Sequence, residues 1–475
     1  MTGYDMVFVG SGFASSFFLR KRLQMSPATA RFLVLERGPY FQHADQIADR
    51  RNSPVAAQST FRVDTPDGAE THKRWQLNIG FGGSSNCWWG GTPRMLPSDF
   101  EIMTRYGVGR DWPVSYDDLA PYYTDVEQFM QISGSETTPF PNHPTYPLPG
   151  HKMSDPDRAL QEAYPQAYFN QPTARASRQT DTRSRCCANG VCHLCPVNAK
   201  FTIENGMRDT YTDPRVTLIT DAQVLAVDIE AGVARGVVYS HEGREERVTG
   251  DLVVLGANAI FNPYLLLRSG LSDGPVGQRL HEQGSFRAHV YFDGMSGFQG
   301  SSSITGHGYM LYDGEHRREA GAALIEGWNI PRFRLDHGRW TERTELYVIV
   351  EDLPKDEDTV SIDPEDQTRP VVRYSGHGDY FMRGVARAQR ELEKVLAPLP
   401  VERIEFMPLN QSEAHNQGTT VMGDDPASSV VDRNSVHHQV RNLVVLGNST
   451  FPTGAPANPT LTNTALATRA AQVIG

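Results

Sequence analysis

"YDMVFVGSGFAS", residues 4–15, decides the fold of this chain. Tyr4–Val9 reads as a short apolar strand, and Gly10-x-Gly12-x-x-Ser15 follows it directly. A helical pattern then runs through Phe17, Leu19 and Leu23 and stops at the Ser26-Pro27 breaker. Arg31–Leu35 is a second strand, and Glu36 ends it. Together these make a βαβ unit of about thirty residues. Each small residue of the turn has a mechanical reason. Gly10 makes the tight turn, Gly12 lets the backbone approach a pyrophosphate, and the small Ser15 lets helix and strand pack closely. The helix N-terminus, opening with Phe13 and Ala14, then faces phosphate charge. Glu36 stands at the spacing that bonds a ribose hydroxyl, and an acid there points to an unphosphorylated adenosine ribose. The glycines alone would also suit a turn in an unrelated α/β fold; strand, helix and acid together argue against that. On this motif FAD and NAD both stay open.

Working outward, the chain has 475 residues, too many for one ordinary domain, so two intertwined domains are expected. Hydrophobic residues at 39% and charged residues at 21% fall in the soluble globular range. A net charge of −11 argues against a nucleic-acid partner, whose phosphates would repel it. No run of 18 apolar residues occurs, so no membrane span is expected. The N-terminus enters a strand almost at once, with neither a basic n-region nor an apolar h-region. A cytoplasmic location is therefore the default expectation, with export beside a signal-bearing partner left open.

Residues 45–95 read as loop and Ser115–Ile132 as an acidic helix. Val216–Asp228 and Ala234–Ser240 alternate like antiparallel strands. Leu252–Leu255 reads as a buried parallel strand, followed by a helix at Pro263–Leu267. Arg287–Phe292, Glu345–Val350, Thr359–Ile362 and Val371–Tyr374 read as strands of a separate antiparallel sheet, with a helix at Tyr380–Leu396. Leu443–Leu446 returns to the first sheet, and Leu461–Ile474 closes the chain as a helix.

Three further stretches carry the chemistry. They are "GFGGSSNCWWGGTP" (80–93), "AHNQGTTVMG" (414–423), and "VLGNSTFP" (445–452) closing with "ANPTLT" (457–462). With the N-terminal fingerprint, and in this order, they resemble the glucose–methanol–choline (GMC) oxidoreductase family. The loop and the "ANPTLT" stretch are most similar to its pyranose 2-oxidase and iron–sulfur sugar dehydrogenase branches. The resemblance implies an FAD-binding Rossmann-like domain with a discontinuous α+β substrate domain built on an antiparallel sheet, an architecture shared with p-hydroxybenzoate hydroxylase. It divides the chain into FAD-binding parts at 1–110, 181–282 and 411–475, and substrate-domain parts at 111–180, the lid, and 283–410. It implies oxidation of a CH–OH group to a carbonyl, which needs a base for the hydroxyl proton while hydride leaves carbon for the flavin. By position in the motifs, His415 is the expected base and Asn458 its hydrogen-bonding partner. Gly83, Ser84, Asn86, Cys87, Val224, Gly447, Asn448, Pro459 and Thr460 are expected to join Gly10, Gly12, Phe13, Ala14, Ser15 and Glu36 around FAD. Where the family often has Asp, this chain has Gly447. Cys87 stands where relatives place a histidine, which in pyranose oxidase carries the flavin; it is either a thioether site or a small buried hydrophobe. Trp88 and Trp89 either stack on a sugar ring or pack beside the flavin, and Gln411 and Asn416 flank the base.

The remaining cysteines lie in "RCCANGVCHLCP", residues 185–196. Cys186, Cys187, Cys192 and Cys195 form C-C-x4-C-x2-C-P. A reduced compartment and the awkwardness of bridging a vicinal pair weaken a disulfide reading. Zinc usually takes two separated knuckles, and only Cys192/Cys195 resembles one. A closing Cys-Pro accompanies bacterial iron–sulfur loops. Membrane-linked sugar dehydrogenases of the family carry a similar C-C-x4-C run on a [3Fe-4S] cluster, so the resemblance makes Cys186, Cys187 and Cys192 ligands. Cys195 is either a fourth, allowing [4Fe-4S], or a neighbour. A cluster implies a sugar or polyol dehydrogenase passing electrons to an external acceptor, such as a cytochrome, quinone or redox protein, with a small companion subunit fitting the same resemblance. The alternative is an oxidase using O2, with a structural cysteine loop.

Overall fold

In the computed structural model, which describes residues 3–49, 55–56, 60–66 and 73–474, the apolar run Tyr4–Val9 is a central strand. Val7 and Phe8 point to opposite faces and both are fully buried, as a strand covered on both sides requires. The strand pairs in parallel with Phe32–Leu35 on one side and with the C-terminal half of Arg244–Leu255 on the other. Val216–Ile219 and Leu443–Val445 extend this parallel layer at its two edges. The N-terminal half of Arg244–Leu255 leaves the layer and pairs antiparallel with Val233–His241, which pairs with Gln223–Glu230. The seven strands thus come from three distant stretches of chain. The helix Phe13–Met25 is tied to the helix Thr460–Val473 by Arg22, which donates to the carbonyls of Ala471 and Ile474. Tyr123, on the helix Tyr116–Phe129, joins the same closing helix through a 2.8 Å bond with Thr462.

A second sheet of six strands is antiparallel throughout, in the order Val401–Phe406, Gly284–Phe292, Arg343–Val350, Ala323–Trp328, Ile304–Gly308, Tyr168–Asn170. The two-residue alternation sorts its faces. Phe286, Ala288, Ile325, Leu346, Val348 and Val350 pack in one core with Phe381, Val385, Ala388 and Leu392 of the helix Asp379–Val395. The intervening Arg287, Glu326, Trp328 and Tyr347 face a large cavity. The expected architecture, a dinucleotide-type α/β layer with a separate antiparallel sheet, is the one the chain forms.

Several details differ from the sequence reading. Val216–Asp228 is two strands, because Asp221 takes a left-handed conformation (φ 54°) that ends one and re-aims the next. Thr359–Ile362 and Pro370–Arg373 do not join the six-stranded sheet; they pair with each other and with Arg62–Asp64 in a small sheet of three. Of the stretch 45–95 read as loop, residues 50–54, 57–59 and 67–72 lie outside the described residues, and His43–Asp49 is a short helix.

Candidate active site

A cavity of about 1370 Å³ is lined by both sheets, beyond the ~300–1,000 Å³ of ordinary ligand pockets. Its first end is the glycine turn. Gly10 sits at φ +89°, and a Cβ there would stand 2.8 Å from the Gly256 carbonyl. At Gly12, which opens the helix Phe13–Met25, a Cβ would meet nothing within 4 Å, so the backbone is bare toward the cavity. Ser15 does not line the cavity; it packs on Gly256, where a Cβ would overlap its hydroxyl. Glu36 lines the cavity and accepts from the Ser11 amide (3.0 Å), the Ser11 hydroxyl (2.7 Å) and the Gly38 amide (3.0 Å). Burial pushes its carboxyl above the usual range, and these bonds work against that shift. Phe13, Ala14 and Val224 complete this end.

The cavity is walled further by Gly83, Ser84, Cys87 and Trp88, which lie next to Gly12 and Phe13, and by Gly447, Asn448, Asn458, Thr460 and Asn463. The helix Thr460–Val473, with Pro459 at its N-cap, starts here and brings the positive end of its dipole. Pro459 itself does not line the cavity, nor does Asn86, whose amide donates to Asn78 (3.2 Å) and to the Phe81 carbonyl (2.9 Å). Trp88 packs edge-on against Phe13, ring centroids 4.7 Å apart, and donates to the Phe201 carbonyl at 2.8 Å. Burial raises the Cys87 thiol above its ordinary pKa. The Oδ1 atoms of Asn416, Asn448, Asn458 and Asn463 are buried at this wall with no hydrogen-bond partner among the described residues. Buried acceptors of this kind call for a ligand's donors. The bare backbone at Gly12, the acid at 36 and these acceptors fit a flavin dinucleotide lying along the cavity.

His415 and Asn458 line the same cavity. His415 Nδ1 lies 3.1 Å from Gln283 Oε1. Burial pushes the imidazole down to about 4, so the ring is neutral at pH 7. Behind it, Lys73 and Glu282 form a buried ion pair, and Glu282 Oε1 accepts from the Glu413 amide at 2.9 Å. Burial pushes the Glu413 carboxyl up to about 7. Glu326 accepts from Trp328 Nε1 at 3.0 Å and lies 3.2 Å from His307 Nε2. Burial would raise its pKa, but His307, Trp328 and Arg175 outweigh that and hold it below the usual range. Trp328 stacks on Tyr347 at 4.0 Å and stands 4.7 Å from Trp89. Glu326, Gln171 and Gln283 escape sequence reasoning. Only Glu326 leaves a signal, as an isolated acid in the apolar strand "ALIEGW", 323–328.

The cysteine loop shares a wall with the cavity through Asn189, Gly190, Val191 and His193, and His193 lies 6.1 Å from Trp89 between ring centroids. Cys192 is buried with Sγ 3.1 Å from Ser303 Oγ, Cys195 Sγ accepts from the Ala199 amide at 3.2 Å, and Cys187 is exposed. Cys186 Sγ lies 3.7 Å from Ser302 Oγ. The thiols are electrostatic neighbours, since, after burial, Cys186 and Cys195 help raise the Cys187 thiol. Among the described residues, however, no three His, Cys, Asp or Glu side chains converge on a point that would hold a metal ion. As placed, Cys186, Cys187, Cys192 and Cys195 do not present a ligand set.

The sequence signatures of GMC oxidoreductases match residues 7–284 and 354–467. The chain belongs to this family, and is an FAD-dependent oxidoreductase of the class acting on CH–OH groups. It is 27% identical to the fructose dehydrogenase large subunit of Gluconobacter japonicus, over 99% of this chain and 97% of that one. It is 25% identical to 2-methyl-1,2-propanediol dehydrogenase of Mycolicibacterium austroafricanum, over 99% and 95%. The crystal structure of pyridoxine 4-oxidase from Mesorbium loti shares the fold, with a TM-score of 0.70, 19% identity and 99% coverage of both chains. No helix of the described residues is long and apolar enough to cross a membrane.

Proposed function

We propose that this protein is a dehydrogenase that oxidises a CH–OH group of a sugar, glycoside or related polyol and passes the electrons to an external acceptor. The observation that carries the reading is that one continuous cavity joins Gly12 and Glu36 to a neutral His415 and to Asn458. When bound, FAD supplies the hydride acceptor. The chain's own residues do the rest. His415 takes the hydroxyl proton, for which a neutral imidazole is competent. Asn458 holds the substrate oxygen by its side-chain amide, and loss of proton and hydride leaves the carbonyl. Glu326 and the rings of Trp89, Trp328 and Tyr347 suit a polyhydroxylated ring: a carboxylate to accept hydroxyl donors, and apolar faces for the C–H edges. The fructose dehydrogenase relative is by name a large subunit, which supports a companion subunit here as well.

A second reading has its own observation. Cys192 and Cys195 have separate partners, and among the described residues no three metal-ligating side chains converge, which favours a structural loop and O2 as acceptor. Anaerobic mixing with sugars and polyols tests the common core, with loss of oxidised-flavin absorbance as the expected result. His415→Ala should slow that bleaching roughly 10²-fold or more; a normal rate removes His415 from the role. Oxygen uptake during turnover separates dehydrogenase from oxidase.

A further inference from the structure

Gln283 is buried and stands immediately before the strand Gly284–Phe292. Its Nε2 donates to two backbone carbonyls, those of Ala455 (2.5 Å) and Ala457 (2.9 Å). A carbonyl has no hydrogen to give, so the amide orientation is fixed by its surroundings: the NH2 must face 455–457 and Oε1 must face the other way. Oε1 meets His415 Nδ1 at 3.1 Å, with Gln417 Nε2 at 3.5 Å. An amide oxygen only accepts, so Nδ1 must carry the imidazole proton.

We infer that Gln283 is the positioning residue of the reaction: one side chain selects the His415 tautomer with a bare Nε2 and anchors the segment that delivers Asn458. Neutral imidazole has a single N–H, so a proton on Nδ1 leaves the Nε2 lone pair free to take a substrate proton. The same amide clamps the carbonyls of Ala455 and Ala457, directly ahead of Asn458. The base and its partner are therefore registered against each other through one buried group, although 42 positions separate them in sequence. The inference rests on the reading of His415 as base.

The charged groups facing His415 are Glu282, Glu326 and Lys73; all stay in place in the variants below. Gln283→Met keeps the volume but removes both acceptor and donors. Flavin-loaded protein should then reduce its flavin roughly 10²-fold more slowly under saturating substrate, as expected when a base loses its correct tautomer. Gln283→Glu is isosteric and covers the case in which the methionine variant does not fold. Where its carboxyl is ionised it favours the imidazolium, so the acid limb of the pH–rate profile should move to higher pH by about 1–3 units, while the oxygen that replaces the NH2 no longer donates to the Ala455 and Ala457 carbonyls. A role in packing alone would leave that limb where it is. A wild-type rate in Gln283→Met, or an unmoved limb in Gln283→Glu, overturns the inference. His415→Ala is measured in parallel. If it is inactive while the Gln283 variants behave as wild type, only the positioning role fails. If it reduces flavin normally, the base assignment fails and takes the tautomer argument with it.

Discussion

Replacing Lys73 by Met should be among the most damaging single changes near the site. The Lys73 ammonium is buried, lies 4.5 Å from the Trp75 ring centroid and 5.3 Å from that of Tyr374, and approaches Ser412 Oγ at 3.3 Å. Among the described residues its carboxylate partner is Glu282, whose side chain is 1% exposed. Methionine fills much of the same space, so the packing survives while the charge does not. Glu282 is then a buried carboxylate without its partner, a defect that costs about 3–5 kcal/mol. Against a typical total stability of about 5–15 kcal/mol this is a large fraction. Glu282 also holds the Glu413 amide, two residues before His415, so the loss is felt at the base. Lys73 lowers the His415 pKa and Glu282 raises it; removing the lysine should move the acid limb of flavin reduction to higher pH. Urea unfolding of the flavin-loaded protein gives the stability term. Lys73→Met/Glu282→Gln should recover most of it, because both charges leave together. A single Lys73→Met variant within about 0.5 kcal/mol of wild type, the range of ordinary surface changes, would refute the reasoning.

Gly10→Ala should abolish flavin retention through purification. It adds the left-handed penalty of about 1–2 kcal/mol to a contact 2.8 Å from the Gly256 carbonyl, and is read as flavin per chain. Acidification should destabilise the flavin-free protein. Burial holds His151, His316, His415 and His437 at about 4, against 6.5 when unfolded. The unfolded chain thus binds more protons between pH 6.5 and 4, and stability falls as pH drops through that window. Asp99, raised to about 6, and Glu413, raised to about 7, act in the opposite direction, as do the raised Glu36, Glu204 and Asp358, but His193, His281 and His289 are lowered as well, so seven histidines outnumber five carboxylates. A urea midpoint that rises from pH 6.5 to pH 4.5 would contradict this. Iron and acid-labile sulfide on protein purified without oxygen decide the cysteine loop. Roughly three to four irons per flavin would make it a cluster site, whereas zinc or no metal favours the structural reading and O2 as acceptor.

The nucleotide end was legible because its requirements are local. Gly10, Gly12, Ser15 and Glu36 lie within one βαβ unit, where turn, close approach and acid are all read from spacing. The closing helix and the helix Asp379–Val395 were legible from periodicity. Sheet membership was not. Val371 pairs in parallel with Arg62, a choice of partner across some three hundred positions that leaves no trace in either stretch. The strands Ile304–Gly308 and Ala323–Trp328 went unread because glycines and a buried Glu326 break their patterns. Glu326 faces the cavity, whereas Gly306, Gly308 and Gly327 make room for Tyr168. Gln283 was invisible for a related reason: a glutamine in sequence carries no hint of which two carbonyls its amide will meet.

The parallel layer and the large cavity both take one wall from residues 443–473, made long after the glycine turn. Until Leu443–Val445 and Thr460–Val473 leave the ribosome, the groove beside Gly12 has no opposite side. At about 5–20 residues per second, the stretch from Gly12 to Thr460 takes about 22–90 s to make, and for that time the cofactor has no complete place. Flavin capture therefore follows the synthesis of residues 443–473. Chains truncated before Leu443 should be colourless, while their antiparallel sheet of residues 168–406 can still assemble.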